Sequence, residues 1–219
     1  MYSLSLKNIF QSRVIIEITI IDSGLGGIEF SKRINELKVF PLIDYEAFPY
    51  GNKELDWLRD RLIYLVEQAT TKTVVVACNT LSSIIYKYDL KFKKRVVDVV
   101  TPTIYFFRNQ NYKNICILAT KNTIKMDVYS KLLGVKINYI DATKLIDCLQ
   151  YNKEYKVEVQ NILSQIPKET DAILLGCTHL IAVKDYFRKK METTVISQDE
   201  IFNEILEKNR FQIKNILKK

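Results

Sequence analysis

Short apolar runs alternate along the chain with longer stretches in which apolar residues recur every three or four positions, which predicts β-strands alternating with amphipathic helices. The first run, at 16–21, enters the turn DSGLGG (22–27), and Ile28, Ile34 and Leu37 then mark a helix. A short strand is expected at 39–43 and a loop at 47–53, punctuated by Pro49 and Gly51. The next helix carries Leu55, Trp57, Leu58, Leu62, Leu65 and Val66, with Trp57 read as core. VVVACNT (74–80) reads as a buried strand with a polar tip, followed by a helix through Ile84 and Ile85 and a strand at 96–100. At TPT (101–103), where Pro102 suits the first turn of a helix, the chain crosses into a second half. There the alternation repeats as strand 115–119, polar turn 120–123, helix 124–133, strand 135–140 and short helix 142–149. A polar helix near 156–166 precedes AILLGCTH (172–179), and a helix around 181–190, a strand at 193–196 and a last helix at 199–217 follow. Such alternation predicts an α/β fold of parallel sheets covered by helices on both faces, with ligands bound beyond the carboxyl ends of the strands. Asp22, Cys78, Thr120 and Cys177 fall at those ends.

Composition narrows the class. A chain of 219 residues, 47% hydrophobic and 26% charged, can bury one large core or two smaller ones, and the echo between its halves favours two domains. The apolar run 14–21 is interrupted by Glu17 and lacks a cleavage pattern, so it reads as a strand and not as a signal peptide or membrane span. Four dispersed cysteines without a C-x-x-C pair point to a reducing cytoplasm. The net charge of +8 is spread along the chain, which reads as a solvated surface and not a nucleic-acid stripe, though it would draw in an anionic substrate.

The candidate chemistry lies in the two cysteine strands. Thiolate is the reactive form of cysteine, and a strand end that opens onto a helix N-terminus favours it. Cys78 and Cys177 both occupy such positions, each followed within two residues by a threonine. Taken singly, either is as well explained as a small buried hydrophobe, which is how Cys116 and Cys148 are read. The only histidine, His179, stands two residues from Cys177, where it either tunes that thiol or is a satisfied core residue. The glycine turn has no Gly-Lys-Ser/Thr and carries Glu29 where a dinucleotide fingerprint needs its third glycine, so it is structural or an anion site and not a P-loop. One histidine and scattered cysteines do not make a zinc site. Two opposed thiols, one protonated and one not, suit the removal of a proton from one face of a carbon and its return to the other, which is racemisation.

In this setting DSGLGG, FPYGNK, ACNTLS, ATKNTI and LGCTHL, in that order between about Ile18 and Glu200, resemble the glutamate racemase family within the aspartate/glutamate racemase superfamily. The resemblance implies two pseudo-symmetric three-layer α/β domains with mainly parallel sheets, the active site in the cleft between them and the last helix returning to the first domain. The expected division is 1–100 with 199–219, and 101–198. It implies a cofactor-independent isomerase that interconverts L- and D-glutamate and supplies the D-isomer for peptidoglycan, without metal. Cys78 and Cys177 would be the proton donor and acceptor, assisted by Asp22 and His179. Asp22, Ser23, Tyr50, Gly51, Asn79, Thr80, Thr178 and His179 would bind substrate, with Thr120 and Thr123 beside it. Glutamate is the expected partner, with neither membrane nor nucleic acid, and a homodimer is left open.

The sequence departs from the family pattern where Leu180 and Ile181 follow CTH in place of an aromatic residue and a proline. The chain is also shorter than most members, and Asp147 stands as the replacement for a glutamate that supports the histidine. His179 argues for the glutamate branch over the aspartate branch. Two readings stay open: a racemase, or a drifted member that binds an anionic metabolite or a protein partner without turnover. Retention of both thiols favours the first.

Overall fold

In the computed structural model, residues 16–35 and 37–208 are described. Val14 and the reach of the last helix beyond 208 lie outside the described residues. The first half runs β1 (Ile16–Asp22), α1 (Leu25–Arg33), β2 (Leu37–Ile43), α2 (Leu55–Gln68), β3 (Thr73–Val76), α3 (Asn79–Lys87), β4 (Arg95–Asp98) and α4 (Val100–Arg108). The second runs β5 (Asn114–Ala119), α5 (Lys121–Met126), α6 (Val128–Leu133), β6 (Lys136–Asp141), α7 (Thr143–Gln150), α8 (Lys156–Leu163), β7 (Ala172–Leu175), α9 (Lys184–Lys190), β8 (Thr194–Ser197) and α10 (Gln198–Lys208). Single turns of 3-10 helix occupy Tyr45–Ala47, Tyr50–Asn52 and the longer Thr178–Val183.

The strands form two four-stranded parallel sheets, ordered β2-β1-β3-β4 and β6-β5-β7-β8. Each sheet therefore repeats the same order within its own half, and the α/β architecture of two domains is the one expected. Period-two alternation assigns the side chains to layers. Val75 of β3 faces one core with Ile18, Ile20 and Phe30, while Val74 and Val76 face another. In the second sheet Cys116, Leu118, Ile173 and Leu175 turn outward to α7 and α8, while Ile115, Ile117, Ala172 and Leu174 turn the other way. The core that receives Val74 and Val76 is the same one that receives Ile117 and Leu174. The two sheets thus share an apolar interior, and their carboxyl ends are held toward a common place.

Several elements differ from the sequence reading. The helix after DSGLGG ends at Arg33, and Leu37 opens an edge strand whose Pro41 is tolerated because an edge need not donate on both sides. Trp57 is not core: it is 42% exposed, packs edge-on against Tyr50 and lies under the Lys53 ammonium. An aromatic residue at a helical spacing can cover a loop as well as fill a core, and periodicity does not separate the two. Residues 120–123 are the cap and first turn of α5, and the helix expected at 124–133 is interrupted by Asp127, whose φ of 52° is left-handed. The helix expected from 181 begins as the 3-10 turn Thr178–Val183 before α9.

The chain's far end returns to its beginning. Phe202 of α10 meets Phe30 of α1 edge-to-face at 5.7 Å. Asn203 donates to the Arg33 carbonyl at 2.7 Å and accepts from the Asn35 amide at 3.3 Å, satisfying groups at the end of α1. Among the described residues no helix is long and apolar enough to cross a membrane. Because Phe30 is fully buried and joins α1 to α10, Phe30→Ala should cost about 3–5 kcal/mol in urea unfolding. A loss under about 1 kcal/mol would show that this seam is not packed.

Candidate functional site

The site is built from strand ends. β1 closes on Asp22, β3 leads through Ala77 to Cys78 at the cap of α3, β5 leads to Thr120 at the cap of α5, and β7 leads through Gly176 to Cys177 at the cap of the 3-10 turn. Parallel strands point the same way, so two of these four turns gather at the carboxyl edge of each sheet.

Close backbone approach brings the two halves together. An added Cβ at Gly26 would lie 2.4 Å from both the His179 backbone nitrogen and the Thr178 hydroxyl oxygen. One at Gly24 would lie 2.4 Å from the Gln150 oxygen. These glycines are required by packing and not by a special backbone angle, for Gly24 is extended, with φ at −167°.

Asp22 is wholly buried. Its Oδ1 accepts from the Ser23 and Gly24 amides at 2.7 and 3.1 Å, and its Oδ2 accepts from the Thr178 hydroxyl at 3.1 Å. Burial pushes its pKa up to about 6 despite these bonds, which pull the other way. Both thiols are also shifted up. Burial raises Cys78 well above the usual thiol range, with the Asp22 charge and Cys177 adding to it, and burial raises Cys177 to about 12. The amides at the following turns lower both thiols, as expected of helix N-termini, but desolvation is the larger effect. His179 Nδ1 lies 3.7 Å from Cys177 Sγ, and burial lowers the imidazole to about 4, so the ring is neutral at pH 7. Both sequence readings of this histidine fit the geometry, for the ring is buried and bonded to Gln150 as well as set beside the thiol. Cys116 is a core residue, as read.

Ser23, Tyr50, Gly51, Cys78 and Thr80 face one cleft from the first half. Thr120, Cys177, Thr178 and His179 face it from the second. The open space between them is only about 20 Å³, close to what one water needs. The Thr80 and Thr120 hydroxyls are 2.9 Å apart, and Thr123 lies 3.0 Å from Thr120 behind the cleft wall. Tyr50 spends its phenol on Asp44, which Arg61 grips at 2.6 and 2.7 Å, so the tyrosine shapes the wall more than it offers a donor. Asn79 also turns its side chain away: its amide donates to Gln198 at 2.9 Å and its oxygen accepts from Tyr129 at 3.0 Å. What Asn79 leaves toward the cleft is the amide end of α3.

The partner of the histidine is not Asp147. Gln150 Oε1 sits 2.7 Å from His179 Nε2, while Asp147 lines the cleft with a buried Oδ1 that finds no hydrogen bond among the described residues. Burial raises the Asp147 carboxyl. The two residues are three apart on α7 and so share a face, and only the longer side chain reaches the ring. Phe48, with its ring centroid 5.4 Å from that of His179, is a second neighbour that the sequence did not point to.

Comparison with known proteins agrees on the type of fold. No protein-family model matches the chain. The glutamate racemase of Fusobacterium nucleatum subsp. nucleatum is 31% identical over 202 residues, covering 82% of this chain and 75% of that protein. The structure of glutamate racemase from Campylobacter jejuni subsp. jejuni superposes with a TM-score of 0.77 at 23% identity, covering 89% of this chain and 86% of the other. That of the Francisella tularensis subsp. tularensis glutamate racemase, in complex with D-glutamate, gives 0.73 at 22% identity over 91% and 82%.

The buried carboxyl generates a prediction. Asp22→Asn keeps the shape and all three contacts, with the amide nitrogen donating to Thr178. A carboxyl whose folded pKa is raised stabilises the fold fully below its ordinary value of 3.8, and that contribution is lost as pH rises through about 6. The stability of Asp22→Asn relative to wild type should therefore rise across this window, by on the order of 3 kcal/mol. Urea unfolding at a series of pH values measures it. A difference that stays flat between pH 4 and 7 contradicts a desolvated Asp22.

Proposed function

The chain belongs to the glutamate racemase family, and on that premise we propose that it interconverts L- and D-glutamate by proton transfer between two thiols placed on opposite faces of the α-carbon. The observation that carries this reading is that Cys78 and Cys177, delivered by different sheets, line one narrow cleft, each with its own assisting group.

The chemistry follows from those groups. Cys177 passes its proton to the neutral His179 Nδ1, giving a thiolate and an imidazolium. The thiolate takes the substrate's α-proton. Cys78, held as a thiol by burial and by the neighbouring Asp22 charge, donates its proton to the other face of the carbon. The product state has Cys177 as thiol, His179 as imidazolium and Cys78 as thiolate; the reverse direction starts from that thiolate with Cys177 as donor, and exchange with water, which removes the imidazolium proton and returns one to Cys78, restores the resting state. The α-carboxylate and side-chain carboxylate are received by the hydroxyls of Ser23, Thr80, Thr120 and Thr178, with Thr123 behind them, and by the amides that open α3 and the turn at Thr178. Tyr50 and Gly51 form the wall. Closure of the cleft excludes water and so strengthens each of these interactions.

In this reading the lobes that part and close meet near residue 100, and among the described residues the chain from 199 returns to the first of them. The work is done in the cytoplasm, where thiols stay reduced, and its product is D-glutamate for peptidoglycan. No metal or cofactor is called on by the proposed steps.

Circular dichroism of L-glutamate incubated with metal-chelated, cofactor-free protein should decay to zero. In deuterium oxide the product should carry solvent deuterium at the α-carbon while early recovered substrate carries little. Cys78→Ser and Cys177→Ser should each lower turnover by at least about 100-fold, because a serine hydroxyl ionises too weakly to replace the thiol. Cys116→Ser and Cys148→Ser should stay near wild type. Full activity in Cys78→Ser defeats the two-thiol assignment, and a protein that binds glutamate without racemising it is the drifted binder.

A further inference from the structure

Gln150 is one side chain that touches both lobes at the site. It ends α7, yet its Oε1 accepts the backbone N–H of Leu25, the first residue of α1, at 2.9 Å while lying 2.7 Å from His179 Nε2. Three facts of hydrogen-bond chemistry then link in order. A backbone N–H can only donate, so the amide atom facing Leu25 is the oxygen, and the orientation of the Gln150 amide is fixed. A carbonyl oxygen can only accept, so the His179 nitrogen beside it must carry the hydrogen. A neutral imidazole has one N–H, so Nδ1 keeps its lone pair, and that is the nitrogen facing Cys177 Sγ at 3.7 Å.

We propose that Gln150 is a positioning residue that reads the closed cleft through the Leu25 N–H and sets His179 in the Nε2–H tautomer, leaving Nδ1 as the base for Cys177. The other lobe makes this possible by omission: a Cβ at residue 24 would come within 2.4 Å of Gln150 Oε1 and 2.9 Å of His179 Nε2. When the lobes part, the Leu25 donor leaves and the amide is free to turn over. Both orientations are then open, and in the one that turns its nitrogen to the ring Nδ1 holds a proton and cannot take one. Closure thus selects the tautomer that serves Cys177. Because Gln150 is neutral, it orients the ring without adding charge, which makes the two thiols unequal: a carboxylate stands by Cys78 and an uncharged pair by Cys177. The other titratable groups on this cleft are Cys78, Tyr50 and Asp147, with Asp22 behind Thr178.

The consequence for turnover rests on the racemase reading, but the tautomer does not, so the test reads the ring directly. His179 is the only histidine, and its two ring nitrogens give unambiguous ¹⁵N signals. Wild-type protein should show the Nε2–H form between pH 5 and 8. Gln150→Leu, which removes the acceptor, and Gly24→Ala, which displaces it from the other lobe, should each lose that single form. Gln150→Glu should keep the tautomer and shift the ionisation of His179 upward, because a carboxylate favours imidazolium. A dominant Nδ1–H signal in wild type, an unchanged tautomer in folded Gly24→Ala, or an unmoved titration in Gln150→Glu each overturns the proposal. Should Gln150→Leu fail to fold, the other two variants decide it. Failure of racemisation with these signals as expected would overturn the function and leave the latch standing.

Discussion

The site depends on one close contact, the approach of the turn after β1 to the turn after β7. Gly26 has no room for a side chain because Thr178 and His179 occupy it. From that contact follow the bond from Thr178 to Asp22, the reach of Gln150 to Leu25 and the setting of His179 beside Cys177. None of these links belongs to one sheet alone. They exist because two parallel sheets, each ending in small residues, can bring their carboxyl edges within van der Waals distance.

Desolvation governs the electrostatics of that contact. It raises Asp22 and both thiols and lowers His179, so every ionisable group at the centre is pushed toward its neutral form. Helix ends and hydrogen bonds act against this and lose. Moving a proton from the Cys177 thiol to the His179 imidazole makes two charges from two neutral groups, so the same desolvation opposes that step until charge arrives to offset it. Charge is then brought in mainly by what binds, and the hydroxyls and amides around the cleft are placed to receive it.

Much of this was legible in the sequence because strands ending in reactive residues leave a local mark. VVVACNT and AILLGCTH show both the strand and its tip, and the parallel fold then places Cys78 and Cys177 at comparable edges. The β–α alternation likewise gave the sheets. What escaped were facts of side-chain length and direction. Trp57 has core spacing yet lies on the surface over Tyr50. Asp147 and Gln150 share a helix face, and which one meets His179 depends on position along the helix and side-chain reach, which the spacing does not show. Asn79 stands beside Cys78 in the chain, but its side chain faces away from the cleft. The break at Asp127 needs a left-handed residue in a pattern that is otherwise helical, and nothing in its apolar spacing marks the place.

Asn79, Gln198 and Tyr129 form a closed ring of hydrogen bonds behind the first thiol, with Gln198 Nε2 donating to the Tyr129 hydroxyl at 3.0 Å. Its members come from α3, from α10 and from α6. The bond from Asn79 to Gln198 spans 119 positions of sequence, so the frame of Cys78 is not complete when its own sheet is. Loop closure over such a distance is entropically costly and late relative to local helices and neighbouring strands. On a ribosome the first half would emerge with every strand of its sheet, yet Asn79, the first residue of α3, would lack its Gln198 partner until α10 had been made. The chain thereby ties the assembly of its first reactive end to the completion of its last described element.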